Sequence, residues 1–467
     1  MTNRSTLLQT LSAFAAGVTH QSLPPAVIES VKHRFMDTVG LCLAATPLGT
    51  SRMALDMAVS WGGPEEATTI GLSHQLPTAG AAFVNGVLAH SLDFDDTHLP
   101  SVLHPSASII PTVLALGEAC DVPGTEVIAA AAAGYEVCVR TGMAAYDKEL
   151  GNSVFFERGW HATSICGTLG AAVAAAKLYG LDAAGIGHAL GIATSMGSGI
   201  LEANRAGGSV KRLHCGWAAH AGIIAAQAAR AGFTGPVSAL EGRFGFFQAY
   251  CGGQYSEEEI TGGLGVVWCI PDIFYKPYPA NHFTHAGIDA ALKLRERVRI
   301  DEIADIELGV STPTLRTIAQ PAEAKARPES GYHAQFSGPF TVAAALLGGG
   351  GLGVWLDDFT DERVRDPRYL ELAAKVRCIG DPACDDIFPN QFPAVLRIRT
   401  KDGRLFEERV LANRGGPGNP LSASELRAKF MVNAGRSLDE AAARRLADAI
   451  ERLEERPLRE LLALAGT

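Results

Sequence analysis

The densest group of chemically active side chains lies between residues 90 and 106. The stretch from His90 reads HSLDFDDTH, and HPS follows at His104. Burying so many carboxylates and imidazoles in an apolar part of the chain is costly unless they are paired or functional. Asp95 and Asp96 could instead cap a helix end, and the D-x-D-D spacing could bind Mg²⁺. An acid–base site is the hypothesis that uses the whole cluster.

Three further polar groups each stand at the predicted start of a helix. They cover residues 159–164, 211–216 and 276–285, and each combines His with Gly, Thr or Lys. A helix amino terminus presents free N–H groups and a positive dipole end, so a Lys or His beside it favours an anion. The repetition predicts a ligand with several carboxylates. Each single His could also be a packing residue, and His282 with His285 lacks a third metal ligand in register.

The elements that must position these groups are helices as far as about residue 250. Apolar residues recur at helical spacing after Pro24-Pro25, and several later segments are rich in Ala and Gly, so that neighbouring backbones can approach closely. This composition favours a helical bundle. Further helices are predicted over residues 79–92, 107–120, 125–146, 163–179, 183–200 and 213–231.

Beyond residue 250 the pattern changes. Residues 306–310 and 396–399 alternate apolar and polar side chains, and Lys401-Asp402-Gly403 leads into residues 405–410 as a hairpin. Helices are predicted over 282–297 and 338–347, and the glycine run that follows the second is predicted to be a loop.

From Ser422 to Leu464 the sequence again has a pattern typical of helices. We therefore predict a mainly α fold, in which both chain ends form a large all-helical domain. Residues 1–264 and 411–467 belong to this domain, and residues 265–410 form an inserted, smaller α+β lid domain.

Composition excludes several functional classes. The 467 residues carry 40 Lys+Arg against 50 Asp+Glu, and the net charge of −10 argues against nucleic acid and anionic membranes as partners. Nine cysteines without a C-x-x-C pair argue against zinc ribbons and redox dithiols. Aromatics at 7% are too few for a carbocation enzyme such as a class II terpene cyclase. With no apolar run of about 18 residues and no leader pattern, we expect a cytoplasmic protein.

The motifs resemble those of the MmgE/PrpD family, which includes 2-methylcitrate dehydratase, cis-aconitate decarboxylase and iminodisuccinate epimerase. The stretches that carry the resemblance lie between residues 81 and 291. They include SLDFDDTH, GWHATSICG, SVKRLHCGW and KPYPANHFTHAG. The resemblance implies a homodimer without cofactor or metal, a di- or tricarboxylate substrate, and an active site between a helical domain and a lid.

The same motifs indicate which residues form the site. The expected catalytic residues are Asp93, His104, His161 and Lys211. The expected substrate-binding residues are Thr97 and His285 from the family motifs, and Arg212, His214 and Lys276 from the neighbouring polar groups.

The chemistry common to these enzymes creates or protonates a carbanion next to a carboxylate. We assign His104 or His161 to proton transfer, because an imidazole titrates near neutral pH. Lys211 with His285 would hold carboxylates and stabilise the developing charge. Asp93 would orient a histidine or protonate a leaving hydroxyl.

The first expectation is a lyase that eliminates water from a hydroxy-tricarboxylate such as 2-methylcitrate. The alternatives are an epimerase or isomerase of a dicarboxylate, a cis-aconitate-type decarboxylase, and a carboxylate-binding protein without catalysis. Decarboxylase-like members would carry a tyrosine just before the apolar helix of the lid, and Phe340 stands at that place. This departure disfavours decarboxylation.

Overall fold

A computed structural model describes residues 5–466, apart from the side chains of residues 204 and 205. The protein is mainly helical, with 56% of its residues in helices and 10% in strands. The mainly α character predicted from the sequence is confirmed. Among the described residues, no helix is both long enough and apolar enough to cross a membrane.

The α-helices follow one another along most of the chain. In chain order they are α1 Leu7–Gly17, α2 Pro25–Ala45, α3 Gly49–Ser60, α4 Thr78–His90, α5 Ser106–Ala119, α6 Gly124–Ala144, α7 Val154–Glu157, α8 Ala162–Leu178, α9 Ala183–Ala193, α10 Glu202–Ala206, α11 Val210–Arg230, α12 Phe246–Cys251, α13 Glu257–Thr261, α14 His285–Arg295, α15 Leu315–Ile318, α16 Ala322–Ala326, α17 Gly331–Ala334, α18 Gly338–Leu347, α19 Pro367–Ala373, α20 Pro382–Asp385, α21 Ala423–Ala434, α22 Glu440–Glu451 and α23 Leu458–Ala465.

One predicted helix is too long. The helix expected over residues 183–200 ends at Ala193. Gly199 has φ +140°, which an α-helix does not allow, and a side chain on Gly197 would lie 3.1 Å from the carbonyl oxygen of Ile165. The chain therefore leaves the helical conformation before it passes close to α8.

The chain divides into two compact units, with boundaries after Ile273 and after Lys429. The first unit combines the residues before Phe274 with those from Phe430 onward, so the second boundary falls within α21. Both boundaries lie later in the chain than the predicted ones. The division into a helical domain and an inserted α+β lid stays a prediction.

Close backbone contacts pack the long helices of the first unit. A Cβ atom added to Gly86 on α4 would lie 2.7 Å from Cα of Gly216 on α11, which leaves no room for a side chain. Gly134 on α6 approaches Gly170 on α8 in the same way, because an added Cβ would lie 2.9 Å from the Gly170 carbonyl oxygen. The small residues noted in the sequence thus set the spacing of these helices.

The second unit contains a four-stranded sheet in the order β6-β5-β7-β8. Strand β5 runs parallel to β6 and antiparallel to β7, with Ile306 opposite Ile398. Strands β7 and β8 form the predicted hairpin, and Gly403 in its turn has φ +87°. Two short antiparallel ribbons, β1 with β2 and β3 with β4, were not predicted. The strands are β1 Ala67–Thr69, β2 His74–Leu76, β3 Tyr146–Asp147, β4 Asn152–Ser153, β5 Ile303–Val310, β6 Val376–Gly380, β7 Ala394–Thr400 and β8 Leu405–Val410.

Candidate active site

The loop that joins α4 to α5 supplies the first side chains of the site. Asp93 has φ +50°, a left-handed conformation that Asp tolerates better than most residues. A backbone bridge between His98 and Leu103 closes the loop on itself. The polar residues predicted as one cluster from the sequence are therefore held together within one tight loop.

Asp95 lies between two imidazoles at the start of this loop. Its Oδ2 atom is 2.8 Å from Nδ1 of His90 and 3.9 Å from Nδ1 of His104. The side chains of His90 and Asp95 are each only 1% exposed. Because a carboxylate oxygen accepts, Nδ1 of His90 is the donor in this contact, and the bond fixes the orientation of the His90 ring.

The hydrogen bonds of His104 fix its tautomer. Its Nδ1 atom is 2.6 Å from the carbonyl oxygen of Asp96, and because a carbonyl only accepts, Nδ1 is the donor. The Thr97 hydroxyl lies 3.3 Å from the same nitrogen, and the His104 backbone N–H donates to the Thr163 hydroxyl. His104 is therefore held with its hydrogen on Nδ1.

Asp96 forms a buried ion pair beneath the loop. Arg34 on α2 donates from Nη1 to Oδ2 of Asp96 at 3.0 Å, and both side chains are 1% exposed. Burial raises the pKa of Asp96 to about 6, although Arg34 and the Ser106 hydroxyl act in the opposite direction. Arg34 also donates to the Ile273 carbonyl oxygen. This pair anchors the loop to α2.

His161 and His214 form a second imidazole pair. His161 is the N-cap residue of α8, His214 lies near the start of α11, and their Nδ1 atoms are 2.9 Å apart. Burial and the neighbouring Lys211 cation hold the pKa of His161 well below its usual value. Burial also lowers the pKa of His214 to about 4. Both rings are therefore neutral at neutral pH, and one donates a hydrogen bond to the other.

Lys211 joins the two halves of the cluster. Its Nζ atom is 3.2 Å from Oδ1 of Asp93, with side chains 18% and 15% exposed. Arg212 follows on the same helical turn and is partly buried. The His90 ring lies between the other imidazoles of the cluster. Its centroid is 5.1 Å from that of His104 and 5.9 Å from that of His161.

Six predicted residues thus come together in the first unit, while Arg212 lies next to them along the chain. The six are Asp93, Thr97, His104, His161, Lys211 and His214. Sequence reasoning did not assign a site role to His90, Asp95 or Arg34. The signal for His90 and Asp95 was present in the dense polar stretch, whereas nothing in the sequence around Arg34 indicates a partner 62 residues away along the chain.

Lys276 and His285, two further residues predicted for the site, belong to the second unit. Lys276 is buried, and the Nε2 atom of His285 donates to the carbonyl oxygen of Ala280 at 3.0 Å. The rings of Tyr278 and His282 pack against His285. Their membership of one site with Lys211 stays a prediction.

Phe340 belongs to the hydrophobic core of the second unit. It is fully buried near the start of α18, stacked on Tyr369 at 5.7 Å between ring centroids and close to Phe359. The position where a tyrosine was expected therefore serves as part of the core in this chain.

Within the described part of the chain, no three His, Cys, Asp or Glu side chains are grouped so that they could hold a metal ion. The expectation of a cofactor-free enzyme stays a prediction.

A helical scaffold brings one lysine, three carboxylates and four imidazoles together, and this combination of groups is suited to acid–base chemistry on an anionic ligand. Comparison with known proteins gives the family. The MmgE/PrpD N-terminal domain model matches residues 9–259, and the MmgE/PrpD C-terminal domain model matches residues 278–455. The chain belongs to the MmgE/PrpD family, as its motifs predicted.

Its relatives include cis-aconitate decarboxylases from three organisms. The mouse enzyme is 30% identical over 96% of this chain and 92% of its own length. The human enzyme is 32% identical over 93% of this chain and 89% of its own length. The Aspergillus terreus enzyme is 27% identical over 96% of this chain and 94% of its own length. These relatives are decarboxylases, whereas the first expectation from the sequence was a dehydratase.

Proposed function

We propose that this protein is a cofactor-independent lyase that decarboxylates an unsaturated tricarboxylate of the cis-aconitate type. The observation that carries the proposal is the similarity, over nearly the full length of both chains, to enzymes named for this reaction. The buried cluster around Lys211 and the imidazoles supports it, because the reaction needs a cation and a proton donor in one place.

The decarboxylation of cis-aconitate sets the requirements that the site must meet. The bond between the CH₂ carbon and its carboxylate breaks, and CO₂ leaves. The electron pair of that bond forms a new C=C bond, and the pair of the original double bond moves onto the carbon next to a retained carboxylate. That carbon takes up a proton, so each turnover consumes one proton and yields an unsaturated dicarboxylate.

Each group in the cluster fits one of these requirements. Lys211 would hold a retained carboxylate, where the negative charge develops during CO₂ loss. Asp93, at 3.2 Å from Lys211, would fix the position of the ammonium group. The neutral pair of His161 and His214 would donate one hydrogen bond to the substrate without adding a second cation.

Dehydration of a hydroxy-tricarboxylate such as 2-methylcitrate is the second candidate, with epimerisation of a dicarboxylate behind it. The observation that favours these two reactions is Phe340. It stands where a tyrosine is expected in decarboxylase-like members, so the tyrosine hydroxyl is missing there, and its ring packs against Tyr369. All three reactions share proton transfer at a carbon next to a carboxylate.

Product analysis separates the candidates. The purified, chelator-treated protein is incubated in D₂O with cis-aconitate, 2-methylcitrate, citrate and iminodisuccinate, and the products are followed by NMR. We expect loss of CO₂ from cis-aconitate and one deuterium in the product. Loss of water from 2-methylcitrate alone would support the dehydratase, and deuterium exchange without net loss would support the epimerase. Loss of activity on removal of metal would contradict the cofactor-free mechanism.

A further inference from the structure

His90 differs from the other imidazoles of the cluster in its surroundings. Its Nδ1 atom is bonded to the Asp95 carboxylate at 2.8 Å. Its Nε2 atom is buried and has no hydrogen-bond partner among the described residues. A buried polar nitrogen without a protein partner costs free energy, unless a ligand or water supplies the missing bond.

The position of His90 places this nitrogen within the cluster. Its ring centroid lies 5.1 Å from that of His104 and 5.9 Å from that of His161. A substrate that contacts these two expected catalytic rings would also be within reach of His90. An atom of the bound substrate would supply the bond that Nε2 lacks.

The proton required by the reaction needs a residue that can carry it. His161 and His214 do not suit this role, because burial, with Lys211 nearby, lowers the pKa of both rings and keeps them neutral. The imidazoles beside Asp95 instead face a carboxylate, an arrangement that holds a ring in one tautomer and orientation for proton transfer. Of these two, His90 makes the direct bond at 2.8 Å, whereas His104 Nδ1 lies 3.9 Å from Asp95 and donates to a carbonyl group.

We infer that His90, held by Asp95, is a further catalytic residue and the general acid that protonates the substrate carbon after CO₂ loss. The inference rests on the proposed decarboxylase function. In this step the Nε2–H bond breaks and a C–H bond forms at the carbon next to the retained carboxylate. The imidazole is left neutral with Nδ1–H still bonded to Asp95, and solvent restores the proton before the next turnover.

Two substitutions separate this role from a structural one. His90→Asn places an amide N–H near the position of Nδ1, so it keeps the bond to Asp95 but has no Nε2. We expect kcat for CO₂ release to fall roughly 100-fold or more, with KM within about threefold of wild type. A near wild-type kcat in this variant would overturn the inference, because it would show that only the bond to Asp95 matters.

Asp95→Asn is the second variant and covers the case in which His90→Asn does not fold. It keeps the shape of Asp95 but removes the carboxylate that accepts the Nδ1–H bond and orients the ring, so we expect a fall in kcat of at least about tenfold. The double variant should lose little more than His90→Asn alone, because the two residues act as one unit. Additive losses would contradict the dyad. His220→Asn, a partly buried histidine stacked on Trp217, is the matched control and should keep wild-type kcat.

The deuterium in the product gives a readout that a structural role would not change. In D₂O the wild type should deliver deuterium to one face of the carbon, and the residual product of His90→Asn should carry it on both faces. Retained stereospecificity in that variant would assign the acid to another residue.

A measurement without substrate separates this inference from the proposed function. Histidine-¹⁵N NMR of the full chain, at the pH of the assay, should show a ring with hydrogen on both Nδ1 and Nε2 whose signals disappear in His90→Asn. If that ring carries hydrogen on only one of its nitrogens, the inference fails whatever the enzyme does. If the NMR result is as expected but cis-aconitate is not decarboxylated, the proposed function fails and the dyad remains.

Discussion

Two groups of ion pairs, one in each unit of the protein, lie in opposite environments. In the first unit, Arg34 and Asp96 form an ion pair at 1% exposure, beneath a loop that also buries Asp95 and His90. In the second unit, Arg397 on the sheet contacts Glu307, Asp381 and Glu407 in an ion-pair network that solvent reaches. A buried charge is costly without its partners, whereas a surface pair contributes little. Removing one partner should therefore destabilise the protein far more in the buried pair than in the exposed network.

The largest effect is expected from Arg34→Met. This change leaves Asp96 buried without its cation, and breaking a buried pair by removing one partner costs about 3–5 kcal/mol. Chemical denaturation of the wild type and the variant measures the loss. Arg52→Met on α3 is the matched control, because its pair with Asp56 is exposed and should be worth less than about 1 kcal/mol. Equal losses in the two variants would contradict the comparison.

The next effect is expected from Gly216→Ala at the contact between α4 and α11. An added Cβ would lie 2.3 Å from the Phe83 carbonyl oxygen and 2.7 Å from Cγ2 of Val87, so the helices must move apart. We expect a loss of about 1–3 kcal/mol in the free energy of unfolding. Gly49→Ala is the control, since no atom lies within 4 Å of its added Cβ. A neutral Gly216→Ala would show that the helices are less tightly packed than described.

The third prediction concerns pH. Burial lowers the pKa of His98 to about 4, so the unfolded chain binds this proton near pH 6.5 and the folded chain does not. Stability conferred by the neutral ring is therefore lost as pH falls from about 6.5 to about 4. Asp96 works in the opposite direction, because its raised pKa makes the folded chain lose stability as pH rises from about 4 to about 6.

A variant isolates the contribution of His98. His98→Asn keeps a donor near Ser101, which lies 2.6 Å from Nδ1 of His98, and removes the titration. Between pH 6.5 and 4 the wild type should lose roughly 1–2 kcal/mol more than this variant in denaturation experiments. Parallel pH curves would contradict the assignment.

The smallest effect is expected in the second unit. Arg397→Met removes three ion-pair contacts on the sheet, but solvent screening leaves an expected loss of roughly 0–1 kcal/mol. Thermal unfolding of the two proteins side by side measures it. If Arg397→Met lowered the free energy of unfolding as much as Arg34→Met, the exposure of an ion pair would not determine how much it stabilises this protein.

Much of the fold could be predicted because the chain follows simple periodic patterns. The helix over 338–347 and the strands around 306–310 and 396–399 were found at or near their observed positions. The short ribbons β1–β2 and β3–β4 were missed, because two or three residues give no measurable period. The end of α9 was missed because a close approach to α8, rather than local preference, ends the helix.

The site was predicted less completely, for a physical reason. Asp93 and Lys211 could be predicted because the sequence immediately around each of them is unusually polar. In the structure, Nζ of Lys211 lies 3.2 Å from Oδ1 of Asp93. The partnership of Asp95 with His90 depends on how a tight loop folds back on a helix end. Arg34 reaches the site from α2, and only the packed structure brings it there.

One measurement tests the central claim that the buried cluster of the first unit catalyses decarboxylation. The rate of CO₂ release from cis-aconitate is compared for the wild type, Lys211→Met and the exposed control Lys148→Met. We predict that the wild type and Lys148→Met release CO₂ at similar rates. Lys211→Met should lose roughly 100-fold or more in kcat/KM, because it lacks the cation that stabilises the developing charge. No CO₂ from the wild type, or a Lys211→Met enzyme within about threefold of it, would contradict the account.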